Sequence, residues 1–171
     1  MLLLKLIQSL VKALNSDGTP GQVAAGIALG AAFGLTPLIN LHNLILFGAA
    51  IILTVSFPGV LLGWLVCTPV GFAFDPWFDR LGTWLLVDLD SLSPLWTTLY
   101  NAPGFALSNF NNTVVLGSFV TWVVAAVPLF FAARWGVARY RATIYARLQS
   151  SRFARSVAAS KLYNLYTMFR P

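Results

Sequence analysis

Apolar residues occur in long runs along this chain, and polar interruptions within the runs are few. The polar side chains that stand out between residues 23 and 74 are Asn40, His42 and Asn43. A helix that crosses a membrane needs about 20 apolar residues, but proline-containing breaks at residues 36–37 and 57–59 leave three shorter pieces. The pattern predicts thin spans or a re-entrant hairpin, and whether residues 20–56 cross the bilayer or turn back stays open.

The same pattern predicts five segments. In chain order they are residues 1–18 as an amphipathic interfacial helix, 19–74 as glycine-rich membrane hairpins, 75–113 as an extracytoplasmic loop with interfacial helices, 114–135 as one full transmembrane helix, and 136–171 as a basic cytoplasmic amphipathic tail. Thr19 and Pro20 are typical of a helix start. Asp75 is predicted to cap a separate interfacial helix over 76–87, and Ser93-Pro94 to open another.

Composition and charge agree with a membrane location. Of 171 residues, 58% are hydrophobic and only 9% are charged, whereas about 25% of the residues of a typical soluble domain are charged. We therefore expect an all-α integral membrane protein.

The formal charge of +6 comes from basic residues that flank apolar segments, which favours anionic lipid headgroups over nucleic acid as the partner. The arginines expected at the headgroups are Arg134, Arg139, Arg141 and Arg147. Basic residues lie near both chain ends and most acidic residues lie in the loop between them. The positive-inside rule therefore predicts a multi-pass protein with both termini in the cytoplasm.

Two rows of small residues recur at every fourth position. The residues predicted to pack helices are Gly26, Gly30 and Gly34 in the first row and Gly59, Gly63, Cys67 and Gly71 in the second. Spacing by four places each row on one helical face, where a missing side chain lets another backbone approach. The spacing does not match a Walker or Rossmann phosphate loop.

Each row is followed by or includes a Thr-Pro pair, at which we expect the helix to break. The break residues are Thr36, Pro37, Thr68 and Pro69. The similarity of the two runs suggests an internal duplication, with chance resemblance as the alternative. A break inside a bilayer exposes backbone groups that need partners. Asn40, His42 and Asn43 therefore have two interpretations: polar caps for the hairpin tip, or a functional polar site near the bilayer midplane.

Catalytic chemistry finds little support in the sequence. The acidic residues are five aspartates, and the chain has one histidine and one cysteine. This inventory excludes an intramolecular disulfide and a cysteine-cluster metal site. We expect no catalytic residues, no metal site and no cofactor.

Gly26, Gly30, Gly34, Pro37, Thr68-Pro69, Leu81-Gly82 and Leu85-Leu86 carry a family resemblance. The chain resembles small uncharacterised bacterial inner-membrane proteins built on a glycine-rich domain of unknown function, over about residues 19–135. The domain is sometimes fused to glycosyltransferases, and one branch is the smaller partner of a two-gene pair in bacteria with outer membranes. The resemblance implies a bacterial inner membrane and an envelope role, but no reaction.

Three functional hypotheses follow. The first is a non-enzymatic inner-membrane subunit of an envelope complex. It packs with a protein partner, or with copies of itself, through its glycine-rich faces. The family resemblance adds lipid handling as a role for such a complex. The second is a small transporter or lipid-translocating protein with a polar site formed by Thr36, Asn40, His42 and Asn43. The third is a topological anchor in which the final span and the basic tail are what matter.

Overall fold

A computed structural model describes residues 18–145 of the chain, and over this range every regular element is helical. The helices are α1 (Pro20–Leu35), α2 (Leu41–Ile52), α3 (Phe57–Thr83), α4 (Ser93–Tyr100) and α5 (Thr113–Tyr140). Shorter helical turns span Trp84–Asp88, Asp90–Leu92, Phe105–Ser108 and Arg141–Tyr145. The predicted N-terminal amphipathic helix, Arg147 and the remainder of the basic tail lie outside the described residues.

Helix α1 begins where the sequence predicts. The Thr19 side chain accepts a hydrogen bond from the Gln22 amide at 3.2 Å, and the Gln22 side chain accepts one from the Thr19 amide at 2.7 Å. This reciprocal capping satisfies two amides that have no partner inside the helix, and Pro20 supplies a backbone angle suited to its first turn.

Helices α1 and α3 run parallel, and α5 runs antiparallel to both. The Ser56 amide donates to the Gln22 carbonyl at 3.1 Å, so α1 and α3 start side by side. At the C-terminal end of α5, Arg141 donates from Nη1 to the Gly18 carbonyl at 2.7 Å, so α5 ends beside the start of α1. Helix α2 must therefore return from the end of α1 to the start of α3, on the outside of the three-helix core.

The predicted glycine rows of α1 and α3 face each other. A Cβ added to Gly34 would lie 2.7 Å from the Trp64 carbonyl oxygen, and one added to Gly59 would lie 2.7 Å from that of Val23. Each of the other glycines in the two rows would likewise strike a carbonyl oxygen of the opposite helix: Gly26 that of Ser56, Gly30 that of Val60, Gly63 that of Ile27, and Gly71 that of Gly34. The two backbones are in direct contact, with no room for side chains between them.

A second glycine contact joins α3 to α5. A Cβ on Gly82 would strike the Thr113 carbonyl, and one on Gly117 would strike the Phe78 carbonyl. Phe78 is the largest fully buried side chain of the described residues, with 1% of its surface exposed. Glycine contacts therefore hold α3 to both of its long neighbours.

The helix break predicted at Thr68 and Pro69 is wrong, because α3 continues through both residues and through Pro76. After Pro37 the chain reaches Asn40, whose side chain caps a new helix. No cap residue follows Pro69 before residue 75, and the packed row that ends at Gly71 keeps the helix intact. The Thr68 hydroxyl also bonds to the Trp64 carbonyl at 2.7 Å.

Three further predictions change with this continuity. Asp75 lies inside α3 and does not cap a separate interfacial helix over residues 76–87. The hypothesis of an internal duplication is also wrong, because the second glycine row, from Gly59 to Gly71, lies in a helix that does not break at its Thr-Pro pair. Two helical stretches are long and apolar enough to cross a membrane, Phe57–Asp88 and Thr113–Thr143, where the sequence predicted only the second.

The short helix expected to open at Ser93-Pro94 is confirmed as α4.

The glycine contacts can be tested with one methyl group. Gly30→Ala and Gly63→Ala place that methyl against backbone atoms of the opposite helix, so we expect each to lower the free energy of unfolding by at least about 2 kcal/mol. Gly48→Ala and Gly136→Ala are matched controls, because no atom lies within 4 Å of the added Cβ. The controls should be neutral or slightly stabilising through helix propensity.

Thermal or denaturant unfolding of the four purified variants gives the comparison. Equal stability of the contact and control variants would contradict the close-packed interface.

Candidate functional site

The α1–α2 hairpin tip is held by three buried polar side chains. The Thr36 hydroxyl donates to the Ala32 carbonyl at 2.8 Å. The Asn43 side-chain amide lies 2.8 Å from the Thr36 hydroxyl oxygen, 2.9 Å from the Pro37 carbonyl and 3.3 Å from the Leu38 carbonyl. The Asn43 contacts supply partners for the Pro37 and Leu38 carbonyls of the turn that follows α1.

Asn40 completes the tip. Its side-chain oxygen accepts a hydrogen bond from the backbone amide of Asn43 at 3.0 Å, and its side-chain nitrogen donates to the Pro37 carbonyl. Asn40 and Asn43 are 8% and 4% exposed. Their polar groups are thus engaged within the tip itself, which favours the capping interpretation of these residues over a site that offers them to a substrate.

The structure separates His42 from the two asparagines. Its ring packs against Phe110 and Phe119, with centroid distances of 5.2 and 4.8 Å. The ring is 7% exposed, and neither nitrogen makes a hydrogen bond of normal geometry within the described residues, although the Ser108 backbone lies beside the ring. His42 therefore faces an aromatic surface and not the polar network of the tip.

That aromatic surface is a cluster that the sequence analysis missed. Its members in contact order are Tyr100, Phe105, Phe110, Phe119 and Trp122, with centroids 5.0–6.3 Å apart. Trp122 ends the cluster by donating from its indole nitrogen to the Ala28 carbonyl of α1 at 2.8 Å. The cluster links the segment before α5 to the hairpin through His42 and Ala28, and these two contacts join residues too far apart in the chain to leave a local signal.

A groove lies between α2 and α3 beside the tip, with a volume of about 650 Å³; we call it the α2–α3 groove. Its apolar lining includes Phe33 of α1, Leu44 and Phe47 of α2, and Phe57, Leu61 and Trp64 of α3. Asn40, Asn43 and Asn109 supply its polar lining side chains. Asn109 also donates to the Ile39 carbonyl at 3.2 Å, so the segment before α5 closes the tip end of the groove.

The predicted headgroup arginines differ in their surroundings. Arg134 and Arg139 are exposed, and the Arg139 guanidinium lies 5.8 Å from the centre of the Trp135 ring. Arg141 instead bonds to the chain just before α1. Two of these three predicted headgroup arginines therefore remain available to the surroundings, and the third, Arg141, fastens α5 to the start of the hairpin.

The titratable side chains are dispersed. Within residues 18–145, no group of three or more His, Cys, Asp or Glu side chains lies close enough to bind a metal ion. Cys67 is half-buried against a cluster of Ala31, Ala32 and Trp122, so it lies on the packing face on which its spacing predicts it. Asp79 accepts a hydrogen bond from Thr113, which places it at the α3–α5 contact.

The family match covers nearly all of the described residues. Residues 5–144 match DUF2062, a family described as an uncharacterized protein conserved in bacteria. An uncharacterized protein of Treponema pallidum (strain Nichols) is 30% identical over 146 residues, which amount to 85% of this chain and 90% of that relative. No solved structure matches the chain significantly.

The tip network makes a stability prediction. Asn43→Leu removes the donor that serves the Pro37 and Leu38 carbonyls, so we expect the free energy of unfolding to fall by about 3 kcal/mol. Asn101→Leu is the matched control. Its amide bonds to the Thr97 carbonyl at an exposed position, and we expect a change below about 0.5 kcal/mol. Unfolding of the purified variants measures both, and an Asn43→Leu variant as stable as the wild type would remove the capping role.

Proposed function

Because the chain belongs to the DUF2062 family of conserved bacterial proteins, we propose that it is a non-enzymatic subunit of the bacterial inner membrane. In this proposal both termini are cytoplasmic, and the protein packs with a partner in a complex of the cell envelope. The family resemblance in the sequence supports the compartment and the envelope role. The dispersed titratable groups support a role without catalysis.

The observation that carries the membrane proposal is the poor burial of the two long apolar helices. Only 28% of the most apolar window of Phe57–Asp88 and 22% of that of Thr113–Thr143 is buried within the fold. Phe72, Val124 and Val127 are 74%, 72% and 62% exposed. Monomeric soluble proteins rarely expose apolar patches of this extent. Lipid tails would cover these side chains without a cost in hydration.

The α1–α2 hairpin reaches the far end of the uncharged part of α3, which favours two short crossings over a shallow re-entrant loop. Residues 57–74 of α3 carry no charged side chain and rise about 27 Å, close to the roughly 30 Å hydrocarbon thickness. Gly71 packs on Gly34 and Leu35 at the end of α1, about one turn before Asp75. The tip also bonds to Asn109 in the loop that precedes α5.

Charge supports the orientation. Arg134, Arg139 and Arg141 lie at the end of α5 that is level with the start of α1. Asp75 and Asp79 lie at the opposite end of the bundle. The positive-inside rule then assigns the arginine end to the cytoplasm.

A partner has to use surfaces other than the glycine rows, since those rows are occupied by the chain's own helices. Helix α2 offers one such surface. Ile45 and Ile51 on it are 61% and 67% exposed, and Gly48 between them has open space where a Cβ would lie. An apolar face with a small residue at its centre suits helix–helix contact in lipid.

Cysteine labelling tests the topology. In a Cys67→Ala background, we expect Ile39→Cys at the tip and Thr98→Cys in the loop to react with a membrane-impermeant maleimide added to intact spheroplasts. Arg139→Cys should react only after permeabilisation and serves as the cytoplasmic control. An unreactive Ile39→Cys beside a reactive Thr98→Cys would mean a re-entrant tip buried in hydrocarbon. Reaction of all three positions in intact cells would reject the orientation.

Purification in mild detergent tests the partner. We expect the protein to elute in a stable particle clearly larger than its 18.6 kDa monomer with its detergent belt. The substitution Gly48→Leu should shrink this particle if α2 provides the contact, and Gly136→Leu on α5 is the matched control. A wild-type monomer without an associated protein would end the subunit proposal.

A further inference from the structure

The α2–α3 groove exists because α2 leans on α1 without closing onto α3. Ala50 of α2 packs with Phe33 of α1 and Val60 of α3, whereas nearer the tip the groove lies open between α2 and α3. Phe33 and Val60 line the groove between two walls, one of which carries Leu44 and the other Leu61. The result is an apolar groove whose lining includes Phe57 at the start of α3 and Leu38 and Ile39 at the tip.

The lining excludes most ligand classes. None of the lining side chains is charged, and the amides of Asn40 and Asn43 are engaged in the tip network. A nucleotide, sugar phosphate or inorganic ion would lose hydration without gaining charged or free polar partners. An uncharged, flexible, apolar occupant is the chemistry that this surface can accommodate.

The size of the lining side chains distinguishes a lipid tail from a protein helix. Helices associate in lipid through small residues that let backbones approach, whereas Phe47, Phe57 and Trp64 project into this groove. A hydrocarbon chain is narrow and adapts to the irregular space between such side chains. A volume of about 650 Å³ lies in the range of small-ligand sites.

We propose that the α2–α3 groove holds one acyl chain of a membrane phospholipid, in a position that depends on the membrane location proposed above. The walls contact the chain along its length, and no charged side chain lines the groove to select a headgroup. Binding should therefore depend on acyl-chain length and be indifferent to whether the headgroup is phosphatidylethanolamine or phosphatidylglycerol. In this proposal, contact with lipid takes place in the α2–α3 groove and not at the polar side chains of the tip.

A matched pair of tryptophan substitutions tests the groove. Leu61 and Leu65 lie one turn apart on α3 and are 47% and 46% exposed, but only Leu61 lines the groove. The protein is reconstituted in nanodiscs with a phospholipid that carries a diazirine in one acyl chain, and photolabelled peptides are mapped by mass spectrometry. Retained lipid is counted by native mass spectrometry after detergent exchange.

We expect the wild type and Leu65→Trp to retain one phospholipid and to label at residues 38–47 and 57–64. Leu61→Trp, which fills the groove, should lower both signals by at least about fivefold. Leu44→Trp fills the groove from the opposite wall and should have the same effect, so the test does not rest on the folding of one variant. Both headgroups should give equal retention.

Three results would overturn the proposal. They are equal lipid retention by Leu61→Trp and Leu65→Trp, absence of retained lipid in the wild type, or groove crosslinks to protein in place of lipid. Failure of the membrane location is distinguishable from these, because photolabelling would then also be absent from Val124 and Val127 on α5.

Discussion

Direct contact between helix backbones is the constraint on which this fold depends. Along α1 and α3 each glycine of the two rows faces a carbonyl oxygen of the other helix, and the same contact recurs where Gly82 and Gly117 join α3 to α5. Such pairs allow weak Cα–H···O contacts and many dispersion contacts at short range. Apolar side chains gain little by leaving lipid, so close packing is the main attraction open to helices in a membrane.

The parallel pairing of α1 and α3 determines the rest of the hairpin. Two parallel neighbours need a connection that travels back along the bundle, and α2 with its flanking turns provides it. The return begins with a sharp turn in which the side-chain amides of Asn40 and Asn43 donate to the Pro37 carbonyl, and the Thr36 hydroxyl donates back to Ala32. Because α2 lies outside the close-packed core, it leaves the α2–α3 groove beside it. The tip and the groove are thus two consequences of one packing arrangement.

Local features of the fold could be predicted from the sequence, but most long-range ones could not. Thr19-Pro20 gives a helix start through a cap formed by neighbouring residues, and Ser93-Pro94 gives one through a proline in the first turn, without a side-chain cap. The glycine spacing identified a packing face, but spacing alone does not say which helix covers it. Pro69 was misjudged because the packing of Gly71 on Gly34 and Leu35 of α1 outweighs the local cost of a proline inside a helix. The stacking of His42 on Phe110 joins residues far apart in the chain, and no short pattern encodes it.

The fourfold spacing of the rows has a consequence for how the helices find their alignment. A ridge that repeats every four residues meets an equivalent surface again after sliding by four residues, about 6 Å, so glycines alone leave several registers nearly degenerate. The contacts at the helix ends are unique: Ser56 to Gln22, and Arg141 to Gly18. Each of these hydrogen bonds can form at only one alignment of its two helices. Together they select one register from those that the glycine contacts alone would permit.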